Sequence, residues 1–94
     1  MVDASPVVRL NRSVAVSMAG RDATALEMAD GLLAGGELDG YRYLHIARGE
    51  FLHRLERPAE AAPAYRTALG LSQNEVDRAF VLKKLAELGP DPAN

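Results

Sequence analysis

The residues that could do chemistry are few. His45 and His53 are the only imidazoles. On one helix, eight positions separate them by about 12 Å along the axis, too far to share a metal ion. His53 and Glu50 stand one turn apart, but two ligands do not make a site. Glu27 and Asp30 share a turn as well, and a solvated helix face accounts for them. There is no cysteine, which excludes disulfides, thiolate chemistry and cysteine-based metal sites. Gly35-Gly36 lacks the lysine and the following helix that a phosphate-cradling loop needs. No catalytic residue, no metal ligand and no cofactor are therefore expected.

The polar residues left over are suited to contact rather than catalysis. Arg9, Arg12, Arg42 and Arg48 have two readings. They lay their stems on the core and show their heads to water, or they form a basic ridge that engages an acidic partner surface. Asn11, between Leu10 and Val14, is either a buried structural amide in need of hydrogen-bond partners or a clamp for a peptide backbone. The formal net charge of −2 provides no electrostatic drive toward nucleic acid. Charges interrupt every apolar stretch, so no segment spans a membrane. The start MVDASPVVRL lacks the basic and apolar regions of a signal peptide, which makes cytoplasm the expected location.

The 94 residues are expected to form one domain with a thin core, burying about 60–65% of the unfolded surface. Alanine, leucine and arginine with few aromatics favour helices. Ser5-Pro6 reads as an N-cap and first helical residue. It opens a helix over about 6–19, on which Val7, Leu10, Val14 and Met18 recur at helical spacing. A second helix covers about 22–34, with Ala25, Met28, Ala29 and Leu32 inward, and the loop Ala34 to Gly40 follows. A third covers about 41–55, with Leu44, Ala47, Phe51 and Leu55 inward. A fourth runs from Pro58 to Leu69-Gly70, with Pro63 expected to kink it. Ser72 and Glu75 read as a capping box for a fifth helix ending near Leu88. There Val76, Phe80, Leu82 and Leu85 are expected inward, and Asp77, Arg78, Lys83, Lys84 and Glu87 outward. The tail 89–94 is expected to fray.

Displaced by 36 residues, the chain aligns with itself. Leu10 meets Ile46, Arg12 meets Arg48, Ser13 meets Gly49, Val16 meets Leu52, Ala25 meets Ala61, Met28 meets Ala64 and Leu32 meets Ala68. The run LERPAEAAPAYRTALGLSQNE, with small and aromatic residues at Ala61, Tyr65 and Ala68, resembles the second helix of a tetratricopeptide hairpin. The resemblance implies an all-α, right-handed superhelix of two antiparallel helix pairs, about 6–39 and 42–75, with a capping helix at about 73–88. Small residues such as Gly49, Ala61 and Ala68 would let backbones approach closely. The first helix of each unit departs from the pattern. His45 and Arg48 stand where a bulky aromatic and a leucine are usual, and Arg9 and Arg12 repeat the departure.

Taken in order, SPVVRLNRSVAV, YLHIARGEFLHRLERPAEAAPAYRTALGL and SQNEVDRAFVLKKLAEL are similar to something narrower. They resemble the helical C-terminal extension of a group of bacterial extracytoplasmic-function-type RNA polymerase sigma factors. That group often has alanine where this chain has Ser13 and Pro63, and glycine where it has Glu56. The resemblance implies a non-catalytic regulatory domain that acts through contacts with the remaining sigma-factor domains or with RNA polymerase. It implies no direct DNA binding, since nothing in the segment corresponds to the promoter-binding domains. Met1 and the abrupt helical start are expected of a domain separated from a longer protein.

The place left for function is the groove lined by the first helices of the pairs. Its expected lining is Val7, Leu10, Val14 and Met18 with Tyr43, Ile46, Glu50 and His53. Contact residues are expected at Arg9, Asn11, Arg12, Tyr43, His45 and Arg48, and an exposed apolar patch there would favour a homodimer. The other reading is a free-standing tetratricopeptide adaptor for peptides or proteins.

Overall fold

The structure, a computed structural model, describes residues 5–89. It holds five α-helices and, among those residues, no strand. These are α1 (Pro6–Met18), α2 (Asp22–Gly35), α3 (Arg42–Arg54), α4 (Pro58–Gly70) and α5 (Glu75–Glu87). Each helix packs chiefly on its neighbours in sequence. Short turns make α1/α2 and α3/α4 antiparallel pairs, and α5 closes the stack against α4. This is the all-α, repeat-like superhelical arrangement expected, elongated to 47 × 29 × 21 Å. Expectations for residues 90–94 lie outside the described residues.

The repeat is written into the backbone. Helix α1 is capped by Ala19 (φ −81°, ψ 5°) and α3, 36 positions later, by Leu55 (φ −84°, ψ 7°). The next residues, Gly20 and Glu56, both take positive φ, 87° and 59°. The two that follow, Arg21 and Arg57, have φ/ψ of −110°/60° and −120°/61°. Both turns close alike. Arg21 N–H donates to Val16 C=O at 3.2 Å, and Arg57 N–H donates to Leu52 C=O at 2.9 Å. This pattern satisfies the last carbonyls of the first helix while aiming the chain into the second.

The core runs along the pair interfaces: Ala25, Leu26, Ala29 and Leu32 from α2, Leu44, Phe51 and Leu52 from α3, and Ala61, Tyr65 and Ala68 from α4. Gly49 makes the closest approach, since a β-carbon there would lie 2.6 Å from Tyr65 Cε1. In the first unit the same two positions are Ser13 and Ala29, both fully buried. A slightly larger residue on the first helix is matched there by a much smaller one on the second.

Two expectations, the inward face of α5 and the residue that caps it, are corrected, and α1 has a buried face of its own. The inward face of α1 is Leu10, Ser13 and Ser17, while Val7 and Val14 are exposed and Met18 is 77% exposed. Ser17 is claimed by a polar clamp between the units. Its hydroxyl donates to Asp22 and accepts from Arg54 Nη1 at 3.0 Å. On α5 the inward face is Asp77, Val81, Lys84, Leu85 and Leu88, with Val81 alone fully buried, whereas Val76, Phe80 and Leu82 are exposed. Ser72 does not cap α5, because its hydroxyl donates to the Ala68 carbonyl at the end of α4. Asn74 caps α5 instead, its side chain accepting from Asp77 N–H at 2.9 Å. Helix α4 runs uninterrupted through Pro63, with the Thr67 hydroxyl donating to the Pro63 carbonyl at 3.1 Å.

Candidate functional site

The three odd-numbered helices line one side of the stack. Between α1 and α3 lies a hollow walled by Leu10, Asn11, Val14, Tyr43, Ile46 and Glu50. Between α3 and α5 lies a second, walled by Arg42, Tyr43, Ile46, Val76, Asp77 and Phe80. Tyr43 and Ile46 belong to both, so the two form one groove, with volumes of about 310 and 260 Å³. Its exposed apolar surface comes from Tyr43 of α3 and from residues that α1 and α5 turn away from the core, Val14, Val76 and Phe80.

The charges beside this groove cancel in pairs. Arg42 Nε lies 3.3 Å from Asp77 Oδ2, and Lys84 Nζ lies 3.2 Å from Glu50 Oε1. The Arg42 guanidinium also stacks 4.6 Å from the Tyr43 ring centroid and donates to the Tyr43 hydroxyl at 3.0 Å. Lys84 stands 5.5 Å from the Phe80 ring. These contacts hold both cations against the walls and tie α5 to α3. The floor is therefore apolar, with Asn11 as an amide that makes no hydrogen bond to another described residue. Asn11 is exposed, which rules out a buried structural amide.

The expected contact residues divide among three places. Asn11 and Tyr43 are in the groove. Arg9 and Arg12 lie in a cleft between α1 and α2 with Glu27 and Met28. His45 and Arg48 lie on the opposite side of α3, with Leu33, Glu60 and Pro63. His45 is buried, its Nε2 2.8 Å from the Asp39 carbonyl, and it fastens the loop between the pairs. The arginines do not form one basic ridge. Arg48 meets Asp30 at 2.8 Å, Arg9 meets Glu37 at 3.6 Å, and Arg42 is held by Asp77. Val7, Met18 and His53 are not among the residues that wall the groove.

Sequence reasoning missed Val76 and Phe80 because it assigned them to the core. The signal was present: Asp77, Val81, Lys84, Leu85 and Leu88 share one helical face. Two of its five members are charged, which made it read as solvated.

Tyr65, Glu60 and its partner Arg57 titrate away from their ordinary values for reasons the geometry supplies. Burial pushes the Tyr65 phenol well above 10.0, with the Glu50 and Glu87 carboxylates adding to the effect and Arg54 opposing it. Its buried hydroxyl has no hydrogen-bond partner among the described residues. The bidentate hydrogen bond from Arg57, at 2.6 and 2.7 Å, holds Glu60 below its usual 4.5. That pair is exposed and stabilises little. Among the described residues no three of His, Asp and Glu gather in a way that could hold a metal ion. No helix there is long and apolar enough to cross a membrane.

At 42% identity over 89 residues, the chain is similar to an uncharacterized protein of Rhizobium meliloti (strain 1021). The match takes in 95% of this chain and 21% of that protein, so the chain spans about a fifth of the length of the curated relative it matches. No family model matches the chain, and no solved structure matches it.

Proposed function

We propose that the chain is a non-catalytic protein-interaction domain whose contact surface is the groove between α1, α3 and α5. One observation carries this reading: an apolar floor, walled by Val14, Ile46, Val76 and Phe80, beside charges that neutralise one another in place. Such a surface gains by being covered and has no net charge to attract nucleic acid. A protein segment presenting apolar side chains fits it.

Within that reading, the sequence resemblance supports a regulatory domain of an RNA polymerase sigma factor. It would modulate transcription initiation by contacting the remaining sigma-factor domains or the polymerase. The test is direct binding of the 94-residue chain to core polymerase and to isolated promoter-binding domains, with duplex DNA as a control. Binding that Tyr43→Ala and Ile46→Glu abolish and Arg12→Ala spares is the expected result. A parent sigma factor that transcribes normally without this segment would overturn the regulatory role.

A second reading, a free-standing adaptor for extended peptides, is favoured by the unengaged Asn11 amide in the groove. It predicts capture of peptides by the chain alone, with a loss on Asn11→Ala that polymerase binding would not share.

A further inference from the structure

Helix α5 is the least covered element of the stack. Helix α3 is packed on both flanks, by α2 and by α4. Helix α5 packs on α4, and no helix follows it among the described residues. It buries Val81 alone, leaving Val76 79% exposed and Leu82 47% exposed. An end helix of a repeat stack normally shows water a polar outer face. Here the outer face, opposite Val81, carries Glu75, Val76, Ala79, Leu82 and Lys83, all exposed.

Those five residues have an internal symmetry. If two copies of α5 lie antiparallel about a two-fold axis through Ala79, the alanines of the two copies meet. Val76 then stands at the height of Leu82 of the second copy, and Glu75 at the height of Lys83. The small residue sits at the crossing point, where two helices must approach most closely, with apolar pairs flanking it and opposite charges at the ends. Among the described residues neither Glu75 nor Lys83 makes an ion pair, so both are available to a second copy. A two-fold contact needs this self-complementarity of one surface.

We propose that the occupant of this face is a second copy of the chain, docked α5 against α5 in a two-fold dimer. Two 13-residue helices meet over only about 20 Å, short of the roughly 800 Å² per partner of a standard stable interface. The dimer is therefore weak and concentration-dependent. Of the five residues on this face only Val76 also walls the groove, so each protomer keeps the rest of its groove and the dimer doubles the valency of any partner contact.

Sedimentation equilibrium of the 94-residue chain, from about 10 µM to about 1 mM, tests this. The weight-average mass is expected to rise from 10.1 kDa toward twice that value. Glu75→Lys and Lys83→Glu, each alone, place like charges together and weaken association by about tenfold or more. The two changes combined restore it to within about threefold of the original, because the pairs re-form in reverse. Circular dichroism checks that each variant keeps its helices, and Leu82→Glu supplies an independent break at a half-exposed site. A monomer throughout the range overturns the proposal. So does a dimer indifferent to charge reversal, or one that Tyr43→Ala dissolves, which would place the contact in the groove.

Discussion

The ring of Tyr65 packs against Gly49 so closely that a β-carbon on Gly49 would sit 2.6 to 2.8 Å from three of its carbons. Tyr65 has no exposed surface and nowhere to retreat. This contact joins α3 to α4 and sets how near the helices of the second pair come.

Glycine-to-alanine changes should therefore have opposite signs at two helical positions. In isolation the change favours a helix by about 1 kcal/mol. At Gly49 the clash outweighs this gain, and we predict a net loss of about 1–3 kcal/mol, the usual cost of overpacking. At Gly31, where nothing lies within 4 Å of the added carbon, the gain stands at about 0.5–1 kcal/mol. Urea denaturation of both variants measures the pair. Equal effects would mean that Tyr65 does not confine the site.

The turn at Glu56 stores removable strain. Its φ of 59° is left-handed, a conformation that costs a residue with a β-carbon roughly 1–2 kcal/mol. The equivalent residue of the first unit is Gly20, at φ 87°. Glu56→Gly is expected to stabilise by about 0.5–1 kcal/mol, less than the full strain because glycine loses more freedom on folding. Gly20→Ala is expected to cost about 1 kcal/mol. Thermal melts of the two variants should move in opposite directions.

Alkaline pH should expose the buried phenol. The folded state keeps Tyr65 protonated above its ordinary 10.0, while the unfolded chain releases the proton near that value. The folded pKa is raised, so stability is fully present below about pH 10 and falls as pH rises beyond it. Lysines titrate nearby, so the informative comparison is with Tyr65→Phe. That variant removes an unpartnered hydroxyl and is expected to be no less stable at pH 7. Its stability should also fall less steeply above pH 10. A parallel decline would show that the phenol ionises freely in the fold.

Helix α5 should open before the rest of the stack. One fully buried side chain, Val81, and two ion pairs, Arg42–Asp77 and Lys84–Glu50, hold its inner face. Sparse apolar burial marks a region of low local stability. Hydrogen exchange is expected to protect α5 amides less than those of α3 and α4. Val81→Ala should cost about 1–2.5 kcal/mol and widen that difference. Equal protection across α3, α4 and α5 would count against independent opening.

How much was legible beforehand varied with the element. The five helices and the 36-residue repeat could be read directly, since proline and glycine punctuation and 3.6-residue periodicity are local properties of the chain. The approach at Gly49 was foreseeable too, because a small residue facing a large one leaves a compositional trace. Where α5 begins was misread by two residues: Ser72 and Asn74 are both good caps, and only the Ser72 bond to Ala68 settles the choice.

The faces of α1 and α5 could not be read in the same way. A helix with apolar residues on more than one side has no unique inward stripe. On α1 both Leu10-Ser13-Ser17 and Val7-Val14-Met18 recur at helical spacing. The first is buried because Ser17 must reach Asp22 and Arg54, 37 positions apart at the far end. On α5, Asp77 and Lys84 face inward because Arg42 and Glu50 wait there on α3. Local sequence thus determined which segments are helical and where they repeat. The three-dimensional meeting of distant partners decided which apolar residues became core and which became the groove. A charged side chain is buried or exposed according to its partner, and that partner is brought to it only by the fold.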